Sequence, residues 1–234
     1  MTFIAKKNSR ISLQWVIATV LLLLLGLLTY LAWRLTIHPV IPNKIYRSAQ
    51  LPPAILTNAL QSKKIRTVIN LRGDHPTKTW YQDDLNVAKQ LNITYYNIGM
   101  FSYQLPSKKQ VQALTYLLMT ARQPILLHCS GGADRSGFAS AIATILYEQP
   151  TVKQSEHQFS LSHFVISTHS VGKLVFPYYL HWLKQNQLPY GRASFLRWLC
   201  LQTPFPSPQH ELTSQVAFYS NALENHICDK KSSL

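Results

Sequence analysis

The sequence predicts an α/β domain with a central, mostly parallel sheet flanked by helices, preceded by one transmembrane helix. Three observations carry this. Residues 11–33 hold no charge. Three short segments rich in branched or aromatic residues alternate with helical patterns. Finally, a turn with adjacent glycines joins the third of those segments to a helix of small, apolar residues. Strands and helices alternating in this order bury their apolar faces in a parallel sheet.

Taken in order, residues 1–10 form a basic flank with Lys6, Lys7 and Arg10. At about 1.5 Å per residue, 11–33 then reaches across a hydrocarbon core of about 30 Å. Trp15 and Trp33 bracket it where interfacial aromatics sit. A cleaved signal peptide would have a shorter apolar run ending in small residues, whereas this run continues into Tyr30-Leu31-Ala32-Trp33-Arg34. The side is undecided, because Arg34, Lys44 and Arg47 follow the span as closely as the first three cations precede it. Cysteine chemistry is divided too. A thiolate nucleophile is safest in a reducing compartment, while Cys200 and Cys228 could pair as a disulfide on the other side.

Residues 34–42 read as a linker and 43–202 as one catalytic domain, followed by a proline-rich linker and tail at 203–234. Strands are expected at Thr67–Leu71, Ile93–Ile98 and Pro124–Cys129. Helices are expected at Asp83–Leu91, at Ser107–Ala121 behind a capping serine, and at Ser136–Tyr147. Ser155–Lys184 reads as further helices, with the aromatics of Phe176–Trp182 as core packing. TPFPSP at Thr203–Pro208 breaks any helix, and the tail offers one more at Glu211–Leu223 before a polar end expected to be mobile.

The net charge is +14. Without Lys6, Lys7 and Arg10, 20 basic residues still face 9 acidic ones. A basic domain held at a membrane meets anionic headgroups and phosphorylated substrates favourably. No aromatic-interleaved basic stripe points to nucleic acid, so none is expected as a partner.

The chemistry concentrates at His128–Gly137, HCSGGADRSG. Glycines after a strand let backbone amides turn inward, and the following helix adds its positive N-terminal end, making a nest for a tetrahedral dianion. Such a field favours the thiolate form of a cysteine. Cys129 is therefore the candidate nucleophile, and Ser130, Gly131, Gly132, Ala133, Asp134 and Arg135 are the candidate phosphate cradle. Arg135 would clamp two phosphate oxygens. Ser136 is placed to donate to the departing thiolate, with His128 ordering the loop from behind. Arg72, Asp74 and His75, at the end of an earlier strand, are candidates to line the pocket, with a structural ion pair as the equal alternative for Arg72. No metal or cofactor is required. The bland alternative is an inert buried thiol in a strand-to-helix turn, which the flanking His128, Ser136 and Gly137 argue against.

HCSGGADRSG resembles the signature HCxxGxxR[ST]G of the protein tyrosine and dual-specificity phosphatases. Ile45–Leu51 (IYRSAQL), Ile65–Gly73 and Tyr96–Met100 are similar to segments upstream of that signature in atypical dual-specificity phosphatases of plants, fungi and bacteria. The likeness is strongest to a bacterial, often membrane-anchored group reading HCxxGADRTG, with Gln158–Ser162 and Phe176–Trp182 matching its later segments, so that it covers about residues 43 to 185. It implies a dual-specificity phosphatase-like fold and hydrolysis of phosphate monoesters through a phosphocysteine, with phosphotyrosine or phosphoserine proteins as the family default.

One departure matters. Many members carry a general-acid aspartate on a loop about thirty residues before the cysteine, and Asn97–Ser107 contains no acid. Asp134 is the favoured substitute, as in myotubularin-like lipid phosphatases. Asp74 and the pair Asp83 and Asp84 are the others, for which a helix cap is the plainer reading, since that is what acids in a first turn usually are. Alternatives to the default are a phosphoinositide or inositol phosphate phosphatase, and a weakly catalytic pseudophosphatase that recruits phosphorylated partners at the membrane. A rhodanese-like sulfurtransferase or an arsenate reductase would also use such a loop, but His128 and Arg-Ser-Gly favour the phosphatase.

Overall fold

The computed structural model describes residues 13–201, 203–206 and 213–228. The basic flank with Lys6, Lys7 and Arg10, and the polar end after Cys228, lie outside the described residues. The chain divides into one unit up to Trp33 and a second from Arg34. The helix α1 (Leu13–Arg34) makes up the described part of the first unit and ends on the first residue of the second; it has no buried residue and is long and apolar enough to cross a membrane.

The second unit is built on a five-stranded sheet: β1 (Ile37–Ile41), β2 (Ile45–Ser48), β3 (Thr67–Asn70), β4 (Thr94–Asn97) and β5 (Ile125–His128). Its order is β1-β2-β5-β3-β4. Four strands run parallel, and β1 is antiparallel to β2 at one edge. The α2 helix (Pro53–Ser62) links β2 to β3, α3 (Thr79–Gln90) links β3 to β4, and α4 (Lys108–Thr120) links β4 to β5. After β5 come α5 (Asp134–Tyr147), α6 (Val152–His157), α7 (Val171–Gln185), α8 (Arg192–Leu199) and α9 (Ser214–Leu223), which runs into a π-helical turn at Glu224–Cys228.

The expected strands and helices are present, with α3 beginning one turn earlier than its apolar spacing suggested. Two strands are additional. Residues 34–42, expected to be a linker, contain β1, and IYRS forms β2. β1 carries Pro39, which removes one ladder donor and suits only an edge strand, so its pattern does not read as sheet. β2 is buried throughout although half of it is polar.

The α5 helix is the core element. Every residue from Ser136 to Leu146 is buried, because small side chains let it approach the sheet closely. A capping box fixes the start of α4: Gln110 N donates to Ser107 Oγ and Ser107 N to Gln110 Oε1. In register, Ser48, Asn70 and His128 lie side by side at the carboxyl ends of β2, β3 and β5. Open α/β sheets bind ligands beyond that edge.

The described residues after 203 are more firmly held than a proline-rich tail implies. Phe205 is buried and packs on Trp198 at 5.5 Å between ring centroids. Tyr219 packs edge-on against Tyr96 and stacks on Tyr116. Asn97 N donates to Gln215 Oε1, covering the free edge of β4. A Cys200–Cys228 disulfide closes the segment onto α8. Cross-linking residues 28 apart restricts the unfolded chain by about 3–4 kcal/mol. The variant Cys228→Ser is expected to lose that much unfolding free energy, measured by urea denaturation with tyrosine and tryptophan fluorescence.

Candidate active site

β5 ends at His128, and the chain turns through residues 129–133 into α5, whose N-cap is Ala133. Cys129 is 2% exposed. The loop is held by its carbonyls. Ser130 O accepts from Gln50 N at 3.1 Å. Gly132 O accepts from Arg47 Nη2 at 2.7 Å and Nε at 3.3 Å, while Ala133 O accepts from Arg47 Nη2 at 3.0 Å. Each peptide is planar and trans, so a carbonyl drawn outward turns the next amide to the opposite side. Arg47 thereby aims the amides of Ala133 and Asp134 into the loop, the arrangement that cradles an anion.

Two glycines make this packing feasible. Gly132 has φ of +71°, and a Cβ there would lie 2.6 Å from Ala49 N, so only glycine lets β2 approach. At Gly137 a Cβ would meet Gln158 O at 2.6 Å. That carbonyl is the other anchor of Arg47, accepting from Nη1 at 2.7 Å.

Arg47 is 1% exposed. Burial lowers its pKa to about 10, with the fields of Cys129 and Asp134 opposing, so it stays charged at neutral pH. Arg135 Nη1 donates to Met100 O at 3.4 Å, tying the β4–α4 loop to the site. Its Nε is buried and makes no hydrogen bond within the protein, and Asp134 Oδ1 is in the same position. A buried guanidinium donor without a protein acceptor is what an oxyanion in the loop would satisfy. Ser136 is fully buried, its Oγ donating to Ser48 O at 3.4 Å.

His128 is buried and neutral: burial first, then the nearby Arg72 and Arg135, lower its pKa to about 3. Its Nε2 lies 3.3 Å from Tyr95 Oη and 3.6 Å from Asp84 Oδ2. Asp84 accepts two bonds from Gln50 Nε2, at 2.8 and 2.9 Å, and one from Tyr95 at 3.0 Å. Burial raises Asp84 to about 6 while those bonds oppose. Asp84 therefore lies within α3, fastening Gln50 behind the loop, and the helix-cap reading of Asp83 and Asp84 is corrected because α3 starts at Thr79.

Arg72 donates through Nη1 to Gln50 Oε1 at 3.0 Å, with its guanidinium 3.4 Å over the Trp80 ring. Burial first, then Arg135, lower its pKa against the fields of Asp84 and Cys129. It is thus a second cation within electrostatic range of the loop. Asp74 and His75 are exposed and serve the β3–α3 segment. Burial first, with the nearby Asp74 adding to it, raises the Tyr81 pKa, and the His75 ring contacts Arg72 O at 3.0 Å and Trp80. Tyr103 lies on the loop without an acid; the nearby Asp134 charge is the main cause that raises its pKa, and burial adds to it. Among the described residues, no group of three or more histidine, cysteine or acidic side chains is placed to hold a metal ion.

Arg47, Gln50, Tyr95 and Tyr103 carry weight that the sequence reading did not assign. The available signal was an arginine inside an otherwise strand-like IYRS.

Residues 50–150 match the family model for the DSP-PTPase phosphatase of polymorphic toxin systems. Inositol diphosphatase SIW14 of Saccharomyces cerevisiae is 32% identical over 103 residues, covering 41% of this chain and 34% of that protein. The chain thus spans about a third of the length of this curated relative. The crystal structure of the core catalytic domain of PP-IP phosphatase SIW14 from S. cerevisiae, in complex with citrate, has a TM-score of 0.50 at 21% identity. It covers 67% of this chain and 96% of that one, and it shows a shared fold.

Proposed function

We propose that the chain, whose residues 50–150 match the DSP-PTPase phosphatase family model, hydrolyses phosphate esters or anhydrides through a phosphocysteine. The observation that carries this is the carbonyl-pinned loop, with Cys129 at its base and the unpartnered Nε of Arg135 beside it. In the first step the Cys129 thiolate attacks phosphorus. The S–P bond forms as the bond to the leaving oxygen breaks, and the electron pair departs with that oxygen. Arg135 and the inward amides hold the equatorial oxygens. Asp134, whose Oδ1 is buried without a protein partner, supplies the leaving-group proton. Water then attacks phosphorus and gives its proton back to Asp134, releasing inorganic phosphate and the thiolate. Ser136 is the donor assigned to that thiolate.

Asp134→Asn is expected to lower turnover by about 10²–10³ on alkyl phosphates and by under about tenfold on aryl phosphates, whose leaving oxygen needs no proton. Equal losses on both would remove Asp134 as the acid.

We favour a phosphoryl group adjoining a second anionic group, as in an inositol phosphate or diphosphate, over a phosphoprotein. What supports this is Arg72 beside Arg135 and the inositol diphosphatase activity named for the yeast relative. We also assign α1 as a single membrane anchor, on its length and composition. An oxidising side for the catalytic unit is supported by the Cys200–Cys228 disulfide, which leaves buried Cys129 without a cysteine partner in the chain. The test is phosphate release from inositol phosphates, diphosphates, phosphopeptides and an aryl phosphate, each beside Cys129→Ser. Release from phosphopeptides alone would overturn the substrate assignment.

A further inference from the structure

We propose that Gln50 and Asp84 are positioning residues for Arg72, and that through it they set how strongly the site selects a phosphoryl group with a second anionic group beside it. The inference rests on the reading of Arg72 above and adds what holds that side chain in place. Gln50 stands at the centre of the arrangement. Its backbone N donates to Ser130 O in the phosphate loop at 3.1 Å. Its side chain bridges two charges: Nε2 donates to Asp84 Oδ1 and Oδ2 at 2.8 and 2.9 Å, and Oε1 accepts from Arg72 Nη1 at 3.0 Å. A carboxylate only accepts and a guanidinium only donates. Turning the amide over would set oxygen against oxygen at Asp84 and N–H against N–H at Arg72. The charge on Asp84 therefore fixes which end of Gln50 faces Arg72. Asp84 is itself firmly held, being 2% exposed and accepting from Tyr95 Oη at 3.0 Å. Arg72 is fixed by Gln50, by the Trp80 ring at 3.4 Å and through its backbone N, which donates to Asn70 Oδ1 at 2.9 Å. One acceptor on a guanidinium with five donors leaves others for a ligand, and Arg135 and Cys129 lie within electrostatic range of it.

The arrangement depends on the ionisation of Asp84. Burial raises its pKa to about 6, against the bonds from Gln50 and Tyr95. The other charged and titratable groups facing it are Asp83 on α3, Tyr95 from β4, His128 from β5 and Arg72 from the segment after β3. The α2 helix, which packs on α3, carries none. Burial keeps Tyr95 protonated and His128 neutral. As pH falls through about 6, Asp84 gains a proton. It then offers a donor to Gln50, whose amide oxygen turns to accept it and whose Nε2 turns toward the guanidinium. Arg72 loses its acceptor and with it the fixed position beside Arg135.

The experiment measures kcat/KM of the full chain for an inositol bisphosphate with adjacent phosphates and for an inositol diphosphate, each divided by that for inositol monophosphate. Arg72→Met is expected to lower these ratios by about tenfold, the size of one charged hydrogen bond. Asp84→Asn and Gln50→Met are expected to lower them by about fivefold, and by less than about twofold more when added to Arg72→Met, because they act through it. A merely structural role would lower all the substrates alike and leave the ratios where they were. Between about pH 7.5 and pH 5 the wild-type ratios are expected to fall to those of Asp84→Asn, since protonation removes the same charge as the substitution. Ionisation of the substrates is common to both proteins and cancels in that comparison. Should Asp84→Asn fail to fold, Gln50→Met takes its place. Unchanged ratios in Asp84→Asn or Gln50→Met, or full additivity with Arg72→Met, overturns the positioning role and leaves that of Arg72 standing. Unchanged ratios in Arg72→Met overturn the second-anion reading and the positioning role with it. No release from these substrates or from an aryl phosphate overturns the phosphatase reading itself.

Discussion

Cys129→Ser is expected to lower turnover by about 10⁵-fold or more, equivalent to about 7 kcal/mol of lost transition-state stabilisation. A serine hydroxyl occupies nearly the same volume in a site that is 2% exposed, so the fold and the pinned carbonyls stay in place. At neutral pH, however, the alcohol keeps its proton, and no side chain here is arranged as a base for it. His128 turns its Nε2 toward Tyr95. Anion binding depends on Arg135 and the backbone amides, so vanadate affinity is expected to change by less than about tenfold. Equilibrium binding beside steady-state kinetics separates the two effects. Retention of a tenth of the activity would show that some other group forms the bond to phosphorus.

Arg47→Met has the second largest effect, on stability as well as rate. Methionine fills much of the volume but donates nothing. The Gly132 and Gln158 carbonyls lose charged donors in a dry setting, while Ala133 O keeps the bond from Gly137 N. Charged hydrogen bonds contribute about 1.5–3 kcal/mol each, so the expected loss is about 3–5 kcal/mol in urea denaturation. With the peptides at 132–134 free to turn, the amide cradle is no longer fixed. A fall of about 10²–10³ in kcat/KM should follow, together with weaker vanadate binding. Arg47→Lys should recover little, since an ammonium cannot span carbonyls on both the loop and Gln158. An Arg47→Met protein that melts lower but binds vanadate normally would confine Arg47 to stability.

What was legible in the sequence is what local pattern encodes. A branched run, two glycines and a small-residue helix specified β5, the loop and α5, and with them Cys129, Asp134 and Arg135. The capping serine, Ser107, marked the start of α4. Arg47 was not legible because its partners lie about 85 residues and more away. Its meaning depends on β2 lying beside β5, with Arg47 opposite Leu127, a register that no periodicity announces. Asp84 was misread for a related reason: α3 gains a turn at Thr79 that has no capping side chain to mark it. Gln50, Tyr95 and Asp84 come together only once α3 is folded over the sheet. Tyr103 sits on a loop without period. The docking of α9 follows from aromatic pairs between distant segments and from the disulfide, neither of which TPFPSP foreshadows.

Phosphoryl transfer to the Cys129 sulfur is a covalent step, and trapping its product tests the mechanism. The full chain in vesicles or detergent would be mixed with an aryl phosphate, quenched in acid within milliseconds, digested, and the peptide containing Cys129 weighed. The account predicts one added phosphoryl group on that peptide, absent in Cys129→Ser and longer-lived in Asp134→Asn, where water attack loses its base. Phosphate release during turnover with no phosphoryl group on Cys129 at any quench time would contradict it.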